Sequence, residues 1–374
     1  MKFVIITHVI HIQDDNQYLG YGPYISEMNI WLKYVDEVKI VGSLIKKTPT
    51  VIDIAYKHHK IDFVSVPSFS FTSLKNNLIS IFKLPVIFWR IFGAMKDADH
   101  IHLRCPGNIG LVGCIAQIFF PNKIKTAKYA GNWDPKSKQP WTYRLQKWIL
   151  SNTFLTRNMQ VLVYGNWENQ SENIKPFFTA TYSEFEKETF QKTGFEETIE
   201  FVFVGSLVAG KNPMYAVKLV EQLIKKGHNL VLNLYGEGVE RSVLEQYIQE
   251  NQLRRNIILH GNQDKETIKK AYQKRHFVLL PSKSEGWPKA VAEAMFWGCV
   301  PVATKVSCVP FMLANGERGV LLDMDLDRDV ADMEEILIDE ASFFTKSKLA
   351  AEWSQKYTTD VFESEIKKIL KYET

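Results

Sequence analysis

The stretch Pro281-Ser282-Lys283-Ser284-Glu285-Gly286-Trp287-Pro288-Lys289-Ala290-Val291-Ala292-Glu293-Ala294-Met295 follows the apolar run Phe277–Leu280 and reads as strand, loop and helix in succession. Pro288 suits the first helical position, where its missing N–H costs nothing, and Trp287 before it is biased away from helical dihedrals. Glu285 therefore falls in the loop and Glu293 on the helix. Between Pro288 and Glu293 a helix rises about 7.5 Å, at about 1.5 Å per residue. An anion resting on the helix N-terminus would leave Glu293 at roughly the depth of a ribose joined to it. A carboxylate accepting from two vicinal hydroxyls is a common ribose clamp. Glu285 would face the other side of a diphosphate, where a sugar presents hydroxyls. The plainer alternative pairs Glu293 with Lys289 on a solvated helix face.

Two earlier loops make joint sense with this one. In Val204-Gly205-Ser206-Leu207-Val208-Ala209-Gly210-Lys211-Asn212-Pro213, the glycines allow close approach of an anion and Ser206 can donate to it. Lys211 offers a point charge just before a helix that Asn212 caps and Pro213 opens. The lysine is not followed by Ser or Thr, so this is not a Walker-type loop. Tyr235-Gly236-Glu237-Gly238 is a G-x-G after a strand, compatible with a nucleotide contact or a plain turn.

Outward from these loops the chain alternates short β-branched runs with longer amphipathic ones, an α/β pattern of parallel sheets with helices on both faces. Strands are expected at 3–7, 37–41, 62–66, 100–104, 125–129 and 160–164, with helices near 23–34, 74–94 and 109–119. The rhythm restarts at 200–204 and runs to a strand at 320–322. A chain of 374 residues also exceeds the roughly 250 to 300 at which one core stops growing. The expected division is a domain at 1–185, a polar linker at 186–198 and a domain at 199–354. In open sheets of this kind ligands bind beyond the carboxyl ends of strands, which is where all three loops lie.

The composition, 45% hydrophobic and 24% charged, is that of an ordinary globular protein. Net charge is +4, but residues 1–190 hold 22 Lys+Arg against 15 Asp+Glu, so the basic half is the one to meet anionic partners. The start, Met1–His8, reads as a strand and not a signal peptide. The apolar stretch Leu78–Ala94 is broken by Lys83, Pro85 and Arg90, too short to span a bilayer but able to lie on one. Cys105, Cys114, Cys299 and Cys308 lack zinc-site spacing and are expected to be reduced, buried thiols. Asp323-Met324-Asp325 precedes a helix, where acidic residues act as caps, so no metal site is assigned.

The Glu285-x7-Glu293 run, Pro281-Ser282 before it, Gly298…Pro301-Val302-Ala303-Thr304 after it and the Gly205…Lys211 loop together resemble glycosyltransferase family four. The resemblance is specific over 200–325 and loose over the first half. It implies the GT-B fold, two Rossmann-like doubly wound domains facing across a cleft, and a retaining transferase using a nucleotide-diphosphate sugar as co-substrate with no cofactor. By the same resemblance Glu285 contacts the donor sugar and Glu293 the ribose, and a C-terminal helix within 355–374 crosses back to the first domain. Lys211 neutralises the diphosphate, and Tyr235–Gly238 with His260–Gln263 border the base. The expected donor site thus takes in Gly22, Gly205, Ser206, Lys211, Gly236, Glu237, Gly238, Glu285, Gly286, Trp287, Pro288 and Glu293, with Glu285 and Lys211 catalytic.

Two departures from the family stand out. Ser206 occupies a place where many members carry arginine, and Glu-Gly-Trp-Pro replaces Glu-Gly-Phe-Gly. In the first half, Gly20-Tyr21-Gly22-Pro23 resembles the flexible loop near donor phosphates. Arg104 and Asn132 follow strands and are expected to border the acceptor, while His8 and His102 read as ordinary strand residues. The expected role is sugar transfer to a glycan or lipid-linked acceptor in bacterial surface polysaccharide or glycolipid synthesis. The expected setting is cytoplasmic, with peripheral contact at the inner membrane face and no nucleic-acid partner. The alternative is a scaffold that binds the nucleotide sugar without turnover.

Overall fold

The computed structural model describes residues 1–67, 74–188, 192–195 and 198–371, the side chains of 74–82 excepted. The chain divides into two compact units, one of Met1–Phe178 with Glu363–Thr374 and one of Thr179–Phe362.

The N-terminal unit begins with β1 (Lys2–Asp14), which turns into β2 (Gln17–Tyr21) and α1 (Gly22–Trp31). β3 (Glu37–Ile45), β4 (Asp53–Ala55), β5 (Ile61–Ser65) and α2 (Leu74–Lys96) follow. Next come β6 (His100–Cys105), α3 (Asn108–Ala116), β7 (Ile124–Tyr129), α4 (Trp141–Ser151), β8 (Met159–Tyr164) and β9 (Ile174–Phe177). Strands β5-β3-β1-β6-β7-β8-β9 lie side by side and parallel, while β2 and β4 add an antiparallel flap beside β1. The order reverses between β1 and β6. On one face α2, α3 and α4 bury Ile87, Ile91, Val112 and Ile149 against Ile6, Leu103 and Val161 of the sheet.

The flap corrects one expectation. Gly20–Pro23 is not a flexible loop after β1: β2 passes straight into α1 at Gly22, whose N–H donates to the Ile52 carbonyl at 2.8 Å. A side chain at Gly22 would meet that same carbonyl, so backbone packing alone accounts for a glycine there.

The C-terminal unit runs β10 (Ile199–Val204), α5 (Pro213–Lys225), β11 (Leu230–Tyr235), α6 (Arg241–Glu250), β12 (Ile257–Gly261), α7 (Lys265–Lys274) and β13 (Phe277–Leu280). α8 (Lys289–Phe296), β14 (Val300–Thr304), α9 (Val309–Met312), β15 (Val320–Leu322), α10 (Leu326–Ile338), α11 (Glu340–Ser354) and α12 (Thr359–Leu370) complete it. Its six strands are all parallel in the order β12-β11-β10-β13-β14-β15, the doubly wound arrangement whose switch point lies between β10 and β13. The central strands β10, β13 and β14 are near-continuous apolar runs because both faces are covered. α5 shows how a helix is held to the sheet: Ala216, Val217, Val220 and Leu223 line one fully buried stripe. Each larger member of such a stripe stabilises by about 1.5–3 kcal/mol. From Glu363 on, α12 belongs to the N-terminal unit, where Glu363 accepts from Lys33 at 2.7 Å and from the Tyr34 hydroxyl.

The segment expected as a linker is anchored where it is described. Lys192 is buried and donates to the carbonyls of Tyr272, Gln273 and Arg275 at 2.6, 3.0 and 2.7 Å, the satisfaction a buried ammonium requires. Among the described residues no helix is long and apolar enough to cross a membrane.

Candidate functional site

At the switch point of the C-terminal sheet the loops after β10 and β13 are tied by one backbone bond, from Lys283 N–H to the Gly210 carbonyl at 2.9 Å. Across this tie Lys211 Nζ donates to Glu285 Oε1 at 2.5 Å. The Glu285 side chain is 7% exposed and that of Lys211 31%. The carboxylate is thus largely desolvated while the ammonium stays within reach of solvent.

Gly205 and Gly210 differ from the other glycines nearby. A Cβ on Gly205 would make only ordinary contact with the Phe203 ring, and one on Gly210 would meet nothing within 4 Å. The protein's own packing does not require a glycine at either place, which leaves the backbone there open to approach. Ser206 between them is exposed. Gly236 and Gly238 are the opposite case. A Cβ there would lie 2.0 Å from the Gly205 carbonyl and 2.2 Å from that of Leu207. The G-x-G is therefore spent on docking the β11 loop against the β10 loop, aided by Leu207 N–H to the Glu237 carbonyl at 2.9 Å. Glu237 itself pairs with Arg241 at 2.6 Å, one turn along α6. Beside these loops His260 stacks on Tyr235 with ring centroids 4.4 Å apart and planes 8° apart.

α8 starts one residue later than expected, with Pro288 as its N-cap. Trp287 turns away from the loops: its indole packs on Trp353 and Tyr357, at 6.0 and 5.5 Å between centroids. That packing removes the Trp287 side chain from the expected donor contacts. The Gly286 carbonyl accepts from Ser307 Oγ at 3.2 Å and Cys308 Sγ at 3.0 Å, which holds the loop from behind. Ser282 Oγ, at 1% exposure, has no hydrogen-bond partner among the described residues.

Glu293 lies on α8 and accepts from the Thr181 hydroxyl at 2.7 Å. Burial pushes its carboxyl above the usual range, opposed by the Thr181 bond and by the charges of Lys289 and Lys265. A cavity of about 10 Å³ sits beside it, between Thr181, Tyr182, Lys289 and Tyr357. Thr181 escaped the sequence reading because its segment has no periodicity and carries no loop motif.

In the N-terminal unit Arg104 and Asn132 do stand at the carboxyl ends of β6 and β7, but both are engaged. Arg104 pairs with the buried Glu27 at 3.1 Å and lies 5.1 Å from the Tyr24 ring centroid. Glu27 is shared with Lys128 at 3.8 Å, so Arg104 belongs to a largely buried ion cluster. The Asn132 carboxamide accepts from Asp134 N–H at 2.9 Å, which makes it a turn residue. Asp325 caps α10 through Arg328 N–H, and Asp323 pairs with Lys305 and Arg328.

The model of the family described as glycosyl transferases group 1 matches residues 185–357. The C-terminal unit belongs to that family. Among curated relatives, the α-D-kanosaminyltransferase of Streptomyces kanamyceticus is 25% identical over 40% of this chain and 39% of its own. Two Methanocaldococcus glycosyltransferases are matched over 30% and 54% of theirs, so the chain spans about a third to a half of these relatives. Of solved structures, HepE of Anabaena in complex with UDP superposes with a TM-score of 0.69 at 15% identity, covering 100% of both chains. WaaG, a glycosyltransferase involved in lipopolysaccharide biosynthesis, gives 0.66 at 12% identity and covers 99% of both. The group 1 unit and its N-terminal companion have the GT-B fold, two Rossmann-like doubly wound units in one chain.

Proposed function

We propose that this protein is a retaining glycosyltransferase that moves a sugar from a nucleotide-diphosphate sugar to an acceptor hydroxyl. The Lys211–Glu285 pair at the switch point of a group 1 unit carries the reading. Glu285 already supplies the negative charge that Lys211 attracts. A diphosphate offers more, replaces the carboxylate on the ammonium and frees Glu285 to accept from a hydroxyl of the donor sugar. Glu293 accepts from the ribose hydroxyls in place of Thr181. As the bond from the anomeric carbon to the diphosphate breaks, charge gathers on the leaving oxygen beside Lys211, the open Gly205–Gly210 loop and the first-turn amides of α8. The acceptor hydroxyl attacks from the same face and its proton passes to the leaving phosphate.

The acceptor is a glycan or lipid-linked glycan of a bacterial surface polysaccharide or glycolipid, and the setting is the cytoplasm, peripherally at the inner membrane face. The likeness to WaaG, a glycosyltransferase involved in lipopolysaccharide biosynthesis, supports the glycolipid acceptor. A thermal-shift screen of nucleoside diphosphates and their sugars tests the reading, since a ligand at a hundred times its dissociation constant adds about 2.7 kcal/mol. Binding followed by hydrolysis or transfer is expected. No response to any nucleotide sugar would overturn the donor, and binding without turnover would favour the scaffold alternative. Charge neutralisation is assigned to protein groups, so activity is expected to survive excess chelator. A rate that returns only with added manganese or magnesium would refute that assignment.

A further inference from the structure

The outward side of α2, α3 and α4 carries large apolar groups that the fold does not cover. Trp89 is 65% exposed, Phe119 62%, Trp148 61% and Phe154 70%. Two of them share one cluster of rings, and the segments that carry the other two adjoin it. Trp89 lies 5.6 Å from the rings of Phe88 and Phe92, and Phe119 lies 6.3 and 6.0 Å from the same two. The turn that bears Phe154 is bound to the segment that bears Phe119, by Gln117 Nε2 to the Leu155 carbonyl at 3.1 Å and Asn158 Nδ2 to the Pro121 carbonyl at 3.0 Å. Trp148 follows on α4, which packs beside α3.

The segment that carries these rings is strongly basic. Residues 83–157 contain twelve Lys and Arg against three Asp and no Glu. Lys125, Lys128 and Arg104 are withdrawn into the interior, but Arg90, Arg144 and Arg157 are exposed. Arg157 lies 4.7 Å from the Phe154 ring centroid, an aromatic and a cation presented together. A contiguous exposed apolar patch of this kind marks an interaction site. Tryptophan and phenylalanine rimmed by arginine match the boundary of an anionic bilayer, where rings enter the headgroup layer and cations meet phosphates. A water-soluble protein partner would need carboxylates set against every one of these cations. An anionic bilayer offers its negative charge as a continuous sheet of phosphates.

We propose that the outward side of α2, α3 and α4 is a docking surface for an anionic lipid bilayer, with Trp89, Phe119, Trp148 and Phe154 as anchors and Arg90, Arg144 and Arg157 as phosphate contacts. It gives the membrane setting of the functional reading a specific surface and rests on that reading only there. The test is flotation of the full chain with vesicles of phosphatidylcholine alone and of phosphatidylcholine with phosphatidylglycerol, with no sugar transfer involved. Binding to the anionic vesicles only is expected, largely lost between about 0.1 M and about 1 M salt as screening shortens.

The combined variant Trp89→Ser, Phe119→Ser, Phe154→Ser and, separately, Arg144→Glu with Arg157→Glu should each weaken binding by about tenfold or more. Both should keep the melting temperature and nucleotide affinity of the parent. The charge variant serves if the aromatic one fails to fold. Equal binding to both vesicle types, or no loss in either variant, would overturn the proposal. A parent dimer that the aromatic variant converts to monomer, with no vesicle binding, would assign the surface to a second copy instead. Vesicle binding lost while nucleotide binding persists, or the reverse, separates failure here from failure of the transferase reading.

Discussion

Lys211 is the cation nearest the proposed leaving group, and Ser206 stands where a second might have been. Its contribution should therefore grow as charge develops, which affects kcat more than KM. Lys211→Met is expected to lose at least about 10² in kcat, the lower end for a removed electrostatic donor. Ser206→Arg, on an exposed position, should be tolerated or mildly activating. Steady-state kinetics within a few-fold of the parent for Lys211→Met would move the stabilising charge elsewhere, with Lys289 next in line. Glu293 makes a second prediction because its carboxyl is raised by burial. The folded protein holds that proton to higher pH than the unfolded chain, so this group adds stability below the ordinary value and loses it as pH rises through the raised one. At neutral pH Glu293→Gln should therefore melt higher than the parent and yet bind free nucleoside diphosphate more weakly, by about 1.5–3 kcal/mol. Paired melting and calorimetry decide it, and unchanged nucleotide affinity would take Glu293 out of the site.

Between residue and domain lies the docking of the β11 loop on the β10 loop. Gly238→Ala places a carbon 2.2 Å from the Leu207 carbonyl, a backbone atom that cannot swing aside. The loops must part, so both stability and nucleotide binding should fall together, whereas Gly210→Ala, which meets nothing within 4 Å, should keep the melting temperature. Urea titration of the pair checks this, and an unaffected Gly238→Ala would show that the loops are not held by that approach. The same level explains what could be read in advance. Strands β10 to β15 are short apolar runs bounded by turn residues, and Pro213 marks a helix start by its fixed dihedral, so they stand out in one dimension. α11 does not: Phe343, Ser347, Ala350 and Trp353 are buried, yet its apolar residues form no clean stripe. α4 hides because Trp141 and Trp148 sit on its outer face and blur the division between sides. Lys211 and Glu285 were legible as charges in loops that follow strands. Trp287 was not, because an aromatic in a loop reads the same whether it packs on Trp353 or on a ligand. β2 was missed because Gln17–Tyr21, with Gly20 and the following Gly22-Pro23, looks like a turn until β1 is seen to run on to Asp14.

Across the whole molecule, acid should be the weak side. Burial pushes the imidazoles of His11, His100 and His276 down to about 4 and that of His102 to about 3. Below about 6.5 the unfolded chain takes up protons that the folded one refuses until about 4. Each such group then removes about 1.4 kcal/mol of stability per pH unit. The stability is present above about 6.5 and is lost as pH falls, and the gain from Glu293 is too small in number to offset four histidines. Urea midpoints should drop steeply between about pH 6.5 and about pH 5. A flat profile would mean that these rings are charged inside the fold.

The buried sulfur atoms have a practical corollary. Cys105, Cys114, Cys299 and Cys308 are all free and all shielded, so the native chain offers maleimide reagents nothing to react with at the surface. A cysteine introduced in place of the exposed Phe154 would be the sole reactive thiol. A polarity-sensitive fluorophore attached there would report by its emission colour whether that corner of the protein stands in water or in lipid, without any need to strip the natural thiols first.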